Sequence, residues 1–173
     1  MRFEADVLFK ELAELGLSPR APAQPFAGVE VIRAELVPGL PCLFRLSEPS
    51  TVIFDLACVV TVPVRTDERL AEIERITMML DDLVTPCRIV AADGELGLSV
   101  HGSWGDAEGL VELALESVLL LRRLSIAVLA PLVALTEGRS SEEETFKTIL
   151  EGLRSDPTAT SGNAVTSKEA SDV

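Results

Sequence analysis

Along residues 3–15, Phe3, Val7, Leu8, Leu12 and Leu15 recur at helical spacing, with Glu4, Lys10, Glu11 and Glu14 on other faces. The spacing predicts an amphipathic helix, and Gly16 ends it because glycine accepts the left-handed conformation of a helix C-terminus. Residues 18–28 contain Pro19, Pro22 and Pro25, which lack the amide donor a helix needs, so an extended connector is expected there. Three strands are then expected at 29–37, 42–46 and 51–62, joined through Pro38-Gly39-Leu40-Pro41 and Ser47-Glu48-Pro49-Ser50 as an antiparallel meander. The third is nearly continuous in apolar residues, with Asp55 as the interruption, which predicts a central strand covered on both faces.

In residues 66–84 the periodic positions are Leu70, Ile73, Ile76, Leu80 and Leu83, a second helix for which Thr66 or Asp67 is the expected cap. Residues 87–92 and 95–103 flank Asp93-Gly94, a dipeptide suited to a tight hairpin; Leu96, Leu98 and Val100 alternate with Gly97, Ser99 and His101, giving one core face and one polar or closely approached face. Asp106 opens a long helix to about residue 135. Its polar stripe runs Glu112, Glu116, Arg123 and is then replaced by Ala127, Ala130 and Ala134. A helix half that is apolar all round must be buried, either in its own domain or against a second copy, and Pro131 is expected to bend it or end it early. Ser141 precedes Glu144 by three residues, the capping-box spacing, ahead of the apolar stripe Phe146, Ile149, Leu150 and Leu153. This short helix is able to dock in cis or on a neighbour. The division expected is therefore a domain over 1–135, a linker and short capped helix over 136–156, and a Thr/Ser/Ala-rich tail over 157–173 with too little apolar surface to order.

Composition changes this picture in two ways. The chain has 173 residues, 28 acidic and 15 basic, for a net charge of −13, yet 47% of it is hydrophobic and its mean hydropathy is +0.32. Disorder throughout is excluded. The acidity opposes binding to phosphate backbones and anionic membranes, so no nucleic-acid partner is expected and a protein client, if any, is expected to be neutral or basic. Charges at Glu112, Glu116, Arg122 and Arg123 argue against a membrane span in the long helix. The acidic N-terminus does not read as a signal peptide, and Cys42, Cys58 and Cys87 form no paired motif, so a reducing cytoplasm is the expected setting.

Candidate chemistry is sparse. His101 is the single histidine and, with Trp104, is placed to line a pocket at the hairpin's end; Asp55 in its apolar strand is a second pocket candidate, or else faces a groove or pairs with Arg45. Asp81 and Asp82 diverge by about 100° on a helix and make no metal pair. The Gly102-Ser103-Trp104-Gly105 turn lacks a lysine and is followed by Asp106 and Glu108, which repel phosphate. No Gly-x-Ser-x-Gly nucleophile turn occurs. No catalytic residue, metal or cofactor is expected.

The run Val90-Ala91-Ala92-Asp93-Gly94-Glu95-Leu96-Gly97-Leu98-Ser99-Val100, followed by Trp104 and the Asp106 helix start, sits in the order helix, three strands, helix, two hairpin strands, long helix. Over about residues 3–135 this resembles the type III secretion chaperone-like fold, including the bacterial YbjN family, where a D-G-x-L hairpin similarly precedes an acidic cap and a long apolar helix. The unusually apolar third strand and the capped helix at 142–154 depart from that pattern. The resemblance implies a dimer that binds protein segments, or a member of the family with no assigned role. The expectation is thus an α+β domain with a largely antiparallel twisted sheet packed by helices, acting as a non-catalytic interaction module and homodimer. Its expected interface comprises Leu124, Ala127, Val128, Ala130, Pro131, Ala134, Phe146 and Leu150. The rival expectation is a small-ligand or enzymatic pocket between sheet and helices.

Overall fold

Burial alternates with period two along four of the strands and gives each of them one core side. The computed structural model describes residues 2–47, 54–64, 69–92 and 94–155. Its elements are α1 (Arg2–Glu14), β1 (Ala23–Phe26), β2 (Val29–Val37), β3 (Leu40–Ser47), β4 (Phe54–Pro63), α2 (Leu70–Val84), β5 (Cys87–Ala92), β6 (Glu95–Trp104), α3 (Ala107–Leu124), α4 (Ala130–Thr136) and α5 (Glu142–Arg154). The strands form one antiparallel sheet in the order β1-β2-β3-β4-β6-β5. The protein is an α+β fold, as its periodicity predicts. The even-numbered residues Ile32, Leu36, Phe44, Leu46, Leu56, Val60, Leu96 and Leu98 are buried together with apolar residues of α1, α2, α3 and α5, so the core lies between the sheet and a helical layer.

Three departures from the sequence expectation have physical causes. The stretch expected as a connector carries β1, a four-residue strand; it lies at the sheet's edge, where the missing amide of Pro25 breaks no inner ladder. β4 is central, between β3 and β6, but its second face carries no described element: Leu56, Cys58 and Val60 are buried under the helices, whereas Asp55, Ala57, Val59 and Thr61 on the other face are half-exposed. Its small side chains are shielded mainly by neighbouring strands in the same sheet. α2 begins with Arg69 in the capping position and no side-chain cap, while Thr66 and Asp67 lie outside the described residues.

The long helix runs unbroken from Ala107 to Thr136, but not uniformly. Asp106 caps it, its side chain accepting from the Gly109 amide at 2.8 Å. Between α3 and α4 the segment Ser125–Leu129 forms one widened turn, in which the Ala130 amide reaches back five residues to the carbonyl of Ser125. Pro131 lacks an amide and its ring would crowd the carbonyl four residues earlier; a widened turn immediately before it accommodates both defects and lets the helix continue. Residues 108–136 are long and apolar enough to cross a membrane by length and composition. In the fold Leu110, Val118, Leu121, Leu124, Val128, Leu132 and Leu135 are all buried.

α5 docks in cis. The Ser141 hydroxyl accepts from the Glu144 amide and the Glu144 carboxylate accepts from the Ser141 amide at 3.0 Å, completing the predicted capping box. Arg75 of α2 grips Glu142 with two hydrogen bonds of 2.9 and 2.6 Å, and Arg69 donates to the Ser140 carbonyl at 3.2 Å. Ile149 and Leu153 complete the core over α4 and the widened turn, where Gly152 permits close approach: a Cβ there would lie 3.3 Å from Cα and Cβ of Ala127. Residues 156–173, including the expected tail, lie outside the described residues.

Candidate functional site

With the helices on one side, the sheet keeps a second face to solvent among the described residues. The register aligns its side chains in rows across the strands. One row is Arg33, Leu43, Val59, Ser99 and Arg88; the next is Val31, Arg45, Ala57 and His101; a third is Val29, Ser47, Asp55 and Ser103. Leu43, Ala57 and Val59 are half-exposed and form an apolar floor, while Arg33, Arg45, Arg88 and His101 are exposed around it. None of the three arginines forms a salt bridge with a described carboxylate. The acids on this face include Glu35, Asp55 and Glu95; the Gly39 amide donates to Glu35 at 3.4 Å, and Ser103 Oγ donates to Asp55 at 2.6 Å.

A shallow hollow of about 430 Å³ is bounded by Arg45, Ser47, Asp55, Ala57, His101 and Ser103. A neighbouring one of about 530 Å³ shares His101 and adds Asp81, Thr85, Pro86 and Arg88. A third, of about 520 Å³, includes Arg20, Arg33, Glu35 and Pro41, and the Arg20 amide bonds to the Arg33 carbonyl at 2.7 Å. The sequence-predicted pocket residues therefore divide. Asp55 and His101 meet at one hollow, on diagonal positions of adjacent strands; Asp55 takes its hydrogen bond from Ser103 in place of the expected Arg45. Trp104 is 5% exposed among the core residues and does not line that hollow.

The expected interface residues divide as well. Leu124 and Val128 are fully buried within the chain, and Ala127 is half-buried beneath Gly152 of α5, so these three are occupied by the protein itself. Ala130 is exposed and Pro131, Ala134, Phe146 and Leu150 are half-exposed. The large apolar residues that face outward on α3 and the widened turn are Leu119, 66% exposed, and Ile126, 77% exposed, neither of which the polar stripe had singled out. All three cysteines point into the core: burial pushes Cys42 up to about 12 and Cys87 up to about 11 and raises Cys58 further, so none is a thiolate nucleophile at neutral pH. Among the described residues no cluster of histidine, cysteine and acidic side chains is arranged to hold a metal ion.

Sequence reasoning missed Arg33 and Arg88 as functional candidates. Each alternates with buried neighbours and so points to the face opposite the core, but only the register places them in one row with Leu43, Val59 and Ser99. Comparison of the chain with protein-family models, with curated proteins and with solved structures finds no match.

Proposed function

We propose that the protein is a non-catalytic, cytoplasmic interaction module, chaperone-like or regulatory, that works as a homodimer and binds a segment of another protein. The observation that carries this reading is the face of the six-stranded sheet that no described element covers, where half-exposed aliphatic side chains lie beside exposed arginines that form no salt bridge with a described carboxylate. Exposed aliphatic side chains rimmed by polar ones suit a protein partner. For self-association the support lies on the opposite side of the molecule. Leu119, Ile126 and Ala130 follow one outward flank of the long helix, with Pro131 and Ala134 half-exposed beside it. An apolar flank of this size on a chain of net charge −13 suits burial against a second copy.

Two measurements test the reading. Sedimentation equilibrium is expected to give a dimer for the native chain and a monomer for Ile126→Glu, because an ionised carboxylate does not stay desolvated in an apolar interface. A membrane-bound array of unrelated peptides is expected to show selective capture of a subset. A native chain that sediments as a monomer removes the dimer, and an array on which no peptide binds more tightly than about 1 mM removes the segment-binding role.

A further inference from the structure

We infer that α5 is a strap that opens as a unit ahead of the rest of the fold, and that its opening bares apolar ground which a second copy of this chain takes; the association step rests on the homodimer reading above. α5 packs mainly on α2, the widened turn and α4, and it follows every strand and every other helix in the chain. Both sides of its joint are finished locally. At the end of α4 the Gly138 amide donates to the Leu135 carbonyl at 3.0 Å and the Arg139 amide to the Ala134 carbonyl at 2.9 Å, with Gly138 at a φ of 72°, so α4 stops without help from α5. α5 in turn starts on its own capping box of Ser141 and Glu144. Residues 137–141 between the two helices are therefore a joint that can swing without unwinding either one.

Few ties hold the strap shut. Thr145, Ile149 and Leu153 are its buried residues, Phe146 and Leu150 are half-exposed, and Gly152 meets Ala127 with no side chain of its own. Its polar ties to the body run to α2: Arg75 to Glu142, and Arg69, which also donates to Glu72 at 3.3 Å, to the Ser140 carbonyl. Residues 125–136, the widened turn and α4, carry no charged side chain, so no second ion pair backs the first. The Arg75 and Glu142 pair is exposed, and exposed pairs hold weakly and are screened by salt. An element with few buried contacts and solvent-exposed polar ties belongs to the low end of local stability. The ground beneath it matters as well. Ala127, under Gly152, lies next to Ile126, 77% exposed, and three residues before the exposed Ala130, so lifting α5 joins covered apolar surface to a flank that is already open. A second copy is the occupant because that surface continues the flank on which the two copies meet. In one chain α5 and the second copy thus compete for the same stretch of the long helix.

The test uses the full chain. Hydrogen exchange followed by NMR is expected to give the α5 amides protection at least about 30-fold below that of β4 and β6, and Arg75→Gln or Glu142→Gln to lower it by roughly a further two- to fivefold in α5 alone. A closed form comes from the double variant Ala127→Cys/Gly152→Cys, since a Cβ at Gly152 would lie 3.3 Å from that of Ala127 and the native cysteines are buried. Once oxidised, it is expected to bring α5 protection up to that of the sheet. Self-association in sedimentation is expected to be strongest for Arg75→Gln, intermediate for the native chain and weakest for the oxidised form, with reduction restoring the native value. Native α5 amides as protected as those of β4 and β6, or losing protection only together with them, overturn the inference while the homodimer reading stands. Equal association of the opened and closed forms overturns the association step and leaves the dimer to the Ile126 flank alone. A disulfide that joins two chains in place of one shows α5 exchanged between copies and overturns the strap. Monomers throughout remove the homodimer reading and the association step with it. Should the double variant fail to fold or oxidise, the two single variants at the ion pair still decide the outcome through exchange and sedimentation.

Discussion

A Cβ at Gly97 would stand 2.6 Å from the carbonyl oxygen of Val60 and 3.0 Å from Cγ2 of Thr61 on the neighbouring strand. Backbone cannot yield cheaply, so Gly97→Ala is expected to destabilise the fold by about 1–3 kcal/mol in chemical denaturation. At Gly102 the nearest atoms to the same added carbon all belong to the Leu113 side chain, which can rotate, so Gly102→Ala is expected to cost less. Equal losses at the two sites would show that close approach at Gly97 is not the constraint. The sequence already showed that the Gly97 side of the strand is polar or closely approached, because its alternation with Leu96 and Leu98 has period two. It did not show the partner of Asp55. That choice depends on which residue lies opposite on β6, and Ser103 lies there.

α5 is the element whose sequence signals were strongest and whose destination was least legible. Its capping box can be read from Ser141 and Glu144 alone because the motif is local, and Ser141→Ala is expected to cost about 1 kcal/mol in thermal or chemical unfolding. The charges at its start give it a pH dependence. The Arg75 guanidinium beside Glu142, and the Ser141 amide and hydroxyl beside Glu144, hold both carboxylates below their ordinary value of 4.5. Groups whose folded pKa is depressed contribute stability above the unfolded value and lose it as pH falls through the folded one. Docking of α5 is therefore expected to weaken below pH 4.5, and melting of Glu142→Gln/Glu144→Gln followed down through the carboxylate range should fall less steeply than that of the native chain. A parallel fall would place the acid sensitivity elsewhere. The widened turn before Pro131 was half legible: the proline signalled a defect, but whether the helix ends, bends or widens is set by what it packs on.

For the whole molecule, the excess apolar surface of the long helix is shared between two destinations. Leu124, Val128, Leu132 and Leu135 are buried within the fold, with α5 packed over the widened turn and α4, whereas Leu119 and Ile126 remain outside. Truncation after Thr136 removes the Ile149 and Leu153 side chains from the core, and large-to-small losses in a core cost about 2–5 kcal/mol each. The truncated chain is accordingly expected to melt at a clearly lower temperature and to aggregate in light scattering; unchanged melting would make α5 a decoration.

What the sequence determined by itself is what short-range pattern controls. Period two and period 3.6 placed the main strands and helices, Gly16 and Asp106 marked a helix end and a helix start, and Ser141 with Glu144 marked the last helix, because each depends on residues within a few positions of one another. The tertiary structure decided which apolar faces were already covered and which charges became neighbours. β4 reads as a strand buried on both faces, yet only one face meets helices; a strand's hydrophobicity records its flanking strands as well as the layers above and below it. Arg33, Arg45 and Arg88 are separated by 12 and 43 positions in the chain and share one face only because the register of five paired strands brings them there.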